Sequence, residues 1–130
     1  NPSQKLQFTQ NYFNLGQCYY MVGEKHASLQ EFQQGFTENP KQTPLVYIAA
    51  AQPAMDLNKW VIAAKWLKIA ITQDADQPAE TYADAGLSFL MIEDNAQALE
   101  YLNKALQLNP KLDQRVYNRR DMAQIRVNQQ

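Results

Sequence analysis

The chain has 130 residues, 45% of them hydrophobic and 19% charged, with a formal charge of −1. That is enough chain to bury a core without staples, and it lacks the basic face that displaces counterions from nucleic acid. One cysteine, Cys18, and one histidine, His26, leave no internal disulfide, no Cys-based zinc site and no multi-histidine metal site.

The first helical pattern runs through Tyr12, Leu15, Gly16 and Tyr19 and breaks at Val22-Gly23-Glu24. Residues three and four apart share one face of a helix. A second pattern follows, Ser28, Phe32 and Gly35, closed by Asn39-Pro40, where proline clashes with the preceding turn and lacks its donor. Thirty-five residues on, the phrase returns as Tyr47, Ala50, Ala51 and Ala54, then Ala63, Leu67 and Ala70. A third copy reads Tyr82, Ala85, Gly86 and Phe89, then Ala98, Leu102 and Ala105, closed by Asn109-Pro110.

Large and small positions alternate. Gly16, Ala51 and Gly86 offer a notch to the second helix of each pair, and a leucine there would overpack at about 1–3 kcal/mol. The middle copy departs twice, with Ala75 where the others have proline and with Pro53 inside its first helix, where a bend is expected. From Leu112 a fourth first helix begins, with Tyr117 in register but Arg120 and Asp121 at positions that are otherwise small or apolar. A polar capping helix or a shortened repeat fits that change.

These residues resemble the tetratricopeptide repeat, a helical hairpin of about 34 residues. Tyr82, Ala85, Gly86, Phe89, Ala98, Leu102, Ala105 and Pro110 carry the likeness most fully. The resemblance implies an all-α, right-handed superhelix: a solenoid of three hairpins over about 9–42, 44–77 and 79–112, plus a C-terminal helix over 113–128, all in one domain. Without an initiator Met or a recognisable targeting segment, the sequence reads as a piece of a larger repeat protein.

No catalytic constellation is present. His26 is expected in a solvent-side turn and Cys18 as a buried or half-buried structural thiol. The acidic pairs Asp74/Asp76 and Glu93/Asp94 fall at helix boundaries, where carboxylates meet the positive helix ends. The four glycines are isolated and form no phosphate loop. The reading is therefore no enzyme, no cofactor and no metal.

In such a stack the first helices line a concave groove. The resemblance assigns it Phe13, Gln17, Tyr20 and Met21 from the first unit, Ile48, Gln52 and Met55 from the second, and Leu87, Leu90 and Met91 from the third. An aromatic and Met-rich groove edged by glutamines suits a protein or peptide partner, entering as an apolar or amphipathic segment. One class of the family grips a C-terminal carboxylate with Lys, Arg and Asn. Of the matching places only Asn14 fits; Phe13, Gln17, Ala49, Gln52 and Asp84 do not, so acidic chaperone tails are disfavoured.

Charge is uneven: Asp74 to Glu100 holds seven acids and no Lys or Arg, while Arg115, Arg119, Arg120 and Arg126 all lie in the last helix. Homo-oligomerisation of that helix with the acidic third repeat follows as an expectation. The functional reading is a non-catalytic protein-interaction scaffold, with no nucleic acid partner and no direct membrane insertion; a structural spacer or self-association segment is the alternative. Composition leans toward a bacterial source, and a cytoplasmic or periplasmic and envelope-associated setting both remain open.

Overall fold

Where the apolar period breaks, the chain turns left-handed. Gly23, Asn58 and Glu93 have φ of +85°, 58° and 63°. They are thirty-five residues apart, so one turn geometry is built three times, with glycine in only the first. A computed structural model describes the backbone of residues 2–130 and the side chains from Thr9 onward. Among the described residues the elements are seven α-helices: α1 (Pro2–Met21), α2 (Lys25–Glu38), α3 (Pro44–Asp56), α4 (Trp60–Gln73), α5 (Ala79–Met91), α6 (Asn95–Leu108) and α7 (Gln114–Asn128).

The helices pair as hairpins, α1 with α2, α3 with α4 and α5 with α6. Each second helix also packs on the first helix of the next unit: α2 on α3, α4 on α5, α6 on α7. The fold is an all-α helical-repeat solenoid.

The notch has a measurable depth. A Cβ built on Gly16 would lie 2.8 Å from the Phe32 ring, and one on Gly86 would lie 2.5 Å from Leu102 Cγ. Phe32, Leu67 and Leu102 are the largest fully buried side chains. Ser28, standing where the other units have alanine, is buried and donates through Oγ to the Gly16 carbonyl at 2.7 Å. Its hydroxyl is thereby satisfied inside the core.

A second device recurs at the end of each hairpin. The side-chain oxygens of Asn39, Asp74 and Asn109 accept from the backbone N–H groups of Lys41, Asp76 and Lys111 at 3.0, 3.0 and 2.9 Å, the local bond that turns a chain after Asn or Asp. The Tyr82 and Tyr117 hydroxyls donate back to the Ala75 and Pro110 carbonyls at 2.5 and 2.6 Å, and Tyr47 donates to that of Pro40. The middle unit thus closes like the others although Ala75 replaces proline: Asp74 supplies the turn and Tyr82 the clasp. Helix α3 runs unbroken through the buried Pro53.

Two expectations fail in the first unit. Leu15 and Tyr19, assigned to packing positions, are 46% and 36% exposed, whereas Ala50, Ala54, Ala85 and Phe89 at the same register are buried. The internal positions lie under the preceding hairpin, and α1 has none over it. Cys18 is exposed rather than buried for the same reason. His26 is exposed in the first turn of α2.

Leu102→Ala, removing a side chain with no exposure, should cost about 2–5 kcal/mol. Tyr82→Phe, which removes only the clasp to Ala75, should cost about 1 kcal/mol. Urea denaturation of both variants checks the ranking; equal losses would contradict the notch as the dominant contact.

Candidate protein-interaction groove

The first helices of the hairpins, together with α7, form the inner side of the solenoid; α1 touches α3 and α5 touches α7. Between α1 and α3 lies a cavity of about 320 Å³, lined by Gln10, Phe13, Asn14, Gln17, Phe32, Leu45, Val46 and Ala49. Its floor is apolar and its rim carries amides.

The groove residues assigned from sequence divide into three sets. Gln17 and Met21 are open to solvent on α1, and Met91 is open on α5; Tyr20, Ile48, Gln52, Met55 and Leu87 are half-buried. Phe13 and Leu90 are core residues. Phe13 is 4% exposed, packs against the Phe32 and Phe36 rings at centroid distances of 6.3 and 5.1 Å, and lies in the lining of the cavity. The cause is Gly35, whose missing side chain admits the Phe13 ring: a Cβ there would sit 2.6 Å from it. Leu90 is buried among Phe89, Leu102 and Val116.

Two polar contacts cross this inner side. Tyr20 donates to Asp56 Oδ2 at 2.8 Å, and Lys25 Nζ stands 3.6 Å from the same oxygen. Burial, then the Asp56 hydrogen bond and the nearby Asp56 and Asp84 charges, push the Tyr20 phenol up from its usual range. One unit further, burial raises the Asp84 carboxyl above the ordinary carboxylate range, only partly offset by a hydrogen bond from Gln52 and by the Arg119 charge. Arg119 occupies in α7 the register position of Asp84 in α5, so the positive helix meets the acidic hairpin within one chain.

Asp56 and Arg119 were absent from the groove as read from sequence. The register contained both signals: Asp56 is thirty-five residues after Met21, and Arg119 thirty-five after Asp84. No cluster of three or more His, Cys, Asp or Glu side chains able to hold a metal ion occurs among the described residues. None of the helices, searched over the same residues, is long and apolar enough to cross a membrane.

Residues 79–112, which are α5, α6 and the closing turn, match the tetratricopeptide repeat profile. The chain has a tetratricopeptide-repeat fold. Among the solved structures it resembles is the first tetratricopeptide domain of Spaghetti (RPAP3) bound to the HSP90 peptide SRMEEVD, at 16% identity and TM-score 0.71, with 94% of each chain covered. Another is the second such domain of human RPAP3 in complex with the HSP70 peptide SGPTIEEVD, at 15% identity and TM-score 0.67, covering 95% of this chain and 98% of that one. MamA from Desulfovibrio magneticus superposes with TM-score 0.73 at 15% identity, over 92% of this chain and 66% of that one. No curated protein matches by sequence. At these identities the likeness is one of fold.

The Asp84 shift fixes the sign of a pH effect. A carboxyl whose folded pKa is raised binds its proton more tightly in the folded state, so stability falls as pH rises from the ordinary value of 3.8 to the raised one and stays lower above it. Asp84→Asn should therefore raise the melting temperature at pH 7 and flatten the decline across that window. A variant less stable than wild type at pH 7 would show that the carboxylate contributes net stability through Gln52 and Arg119.

Proposed function

We propose that this chain is a non-catalytic interaction module that takes a peptide or helix along its inner side. The observation that carries the reading is the apolar, amide-rimmed cavity between α1 and α3; by the thirty-five-residue register Met55, Leu87 and Met91 fall on the same face of the later first helices. Tetratricopeptide domains of similar fold are bound to HSP90 and HSP70 peptides, which supports a peptide partner in general terms.

The partner's chemistry differs from those acidic tails. Asp84 and Asp56 lie on the first helices, and the cations beside them, Arg119 and Lys25, are already opposed to them, so a C-terminal carboxylate entering there would have to displace a carboxylate to reach a cation. The proposed ligand is an apolar or amphipathic segment seated on Leu45 and Val46 over the buried Phe13 ring, with Gln10, Asn14 and Gln17 offering hydrogen bonds to its backbone.

A structural role, as spacer or self-associating segment, is kept as the second reading because α1 carries exposed apolar residues on the side away from its own hairpin partner. Self-association through Arg115, Arg119, Arg120 and Arg126 is the weaker form of it. Arg115 pairs with Asp113 and Arg120 with Asp121 at 3.0 and 2.7 Å, and Arg119 faces Asp84. Exposed pairs of this kind contribute little, but they leave less free charge for a second copy.

Leu45 and Met91 are exposed groove residues, so Leu45→Glu with Met91→Glu should leave helicity and melting unchanged. Selection from a displayed peptide library, repeated with the double variant, tests the groove. Peptides that bind wild type should lose at least tenfold in affinity; undiminished binding would remove the inner side as the site.

A further inference from the structure

Between the α5–α6 turn and the last turn of α7 lies a cavity of about 370 Å³, lined by Glu93, Asn95, Arg126, Gln129 and Gln130. All five side chains are polar or charged. Asn95, the first residue of α6, is only 7% exposed, and its Oδ1 accepts no hydrogen bond. Among the described residues it is the one buried side-chain oxygen or nitrogen in that condition, whereas buried polar atoms in native folds are paired. The repeat register gives the comparison. Lys25 and Asp56 stand in the first interface at the places that Asn95 and Arg126 hold in the third, and there Lys25 Nζ faces Asp56 Oδ2 at 3.6 Å. In the third interface the cation has moved to the other helix and the carboxylate to the turn. Arg126 and Glu93 make no ion pair with any described residue.

We propose that this cavity binds a small zwitterion of the α-amino acid class, its carboxylate on Arg126 and its ammonium on Asn95 Oδ1 and Glu93. The signs of the lining select that ligand. A guanidinium presents a planar fork that matches a carboxylate in two parallel bonds. An amide oxygen and a carboxylate both take donors. A simple anion would satisfy Arg126 but meet the Glu93 charge, and a simple cation would do the reverse. A molecule carrying both ends opposes each charge with its opposite, and the lining itself is neutral in sum. The volume lies within the range of small-molecule sites, about 300–1,000 Å³. Gln129 and Gln130 add amide donors and acceptors, so the ligand's own side chain is polar and uncharged. None of these five residues lines the cavity between α1 and α3, and the two sites are separate.

The probe is L-glutamine, titrated into the isotope-labelled full chain by NMR beside N-acetyl-L-glutamine, which lacks the ammonium, and L-glutaminamide, which lacks the carboxylate. The expected result is a saturable shift of the Asn95 side-chain amide and of the Glu93 and Arg126 resonances. Each blocked derivative should bind at least tenfold more weakly, and Arg126→Gln should weaken L-glutamine at least tenfold while retaining affinity for none of the three. The blocked derivatives test the charge rule on the wild-type chain, so the result does not hang on how the variant folds. No saturable shift at tens of millimolar L-glutamine overturns the proposal. So do equal affinities for the three compounds, which would reduce the effect to surface solvation, and shifts confined to Gln17, Leu45 and their neighbours, which would put the ligand in the inner-side cavity.

Discussion

The spacing of this solenoid depends on one steric exchange: a bulky side chain on the second helix of a hairpin enters a place on the first that holds no side chain in the outer units and only the Ala51 methyl in the middle one. Phe32 over Gly16 and Leu102 over Gly86 set the distance between paired helices. That distance in turn sets how far α2 and α6 project toward the next unit, and Tyr47 and Val116 are buried as a result. A methyl group at either glycine meets an aromatic ring or a leucine branch within 3 Å. At these two glycines Phe32 or Leu102 would have to shift to admit it, since interiors are packed to crystal-like density, whereas the middle unit already packs the Ala51 methyl in the same cluster as Leu67.

The closing turns act on the same geometry from the other end. Asn39, Asp74 and Asn109 bend the chain out of each second helix, and the next tyrosine fastens that bend to the following helix. The sequence shows Asn-Pro at two of these turns and Asp-Ala at the third, so the middle unit reads as degraded. The physics is the same in all three. The turn needs a side-chain acceptor, which Asn and Asp both provide, and a backbone carbonyl, which alanine provides as well as proline does. Apolar spacing made the helices and the notch legible. The clasp was hidden because tyrosine at that position reads as an apolar packing residue, with nothing in the period to say where its hydroxyl points.

Register assigns the candidate groove residues to a helix face, and their burial then departs from that assignment. Phe13 falls on the groove face by register, but Gly35, on the facing helix, draws its ring into the core. Leu90 is similarly taken up by the packing of α6 and α7. Conversely, Leu15 and Tyr19 read as core by analogy with the internal units and are exposed. Register tells which face a residue lies on, whereas burial depends on whether something covers that face.

That distinction separates the two surfaces of α1. Its inner side borders α3, and the polar rim of the cavity there offers hydrogen bonds that an apolar helix would leave unmet, at a cost of about 1–3 kcal/mol for each buried group left unsatisfied. An extended segment with free backbone groups suits it better. The outer side exposes Leu15 and Tyr19, apolar surface that makes no such demand.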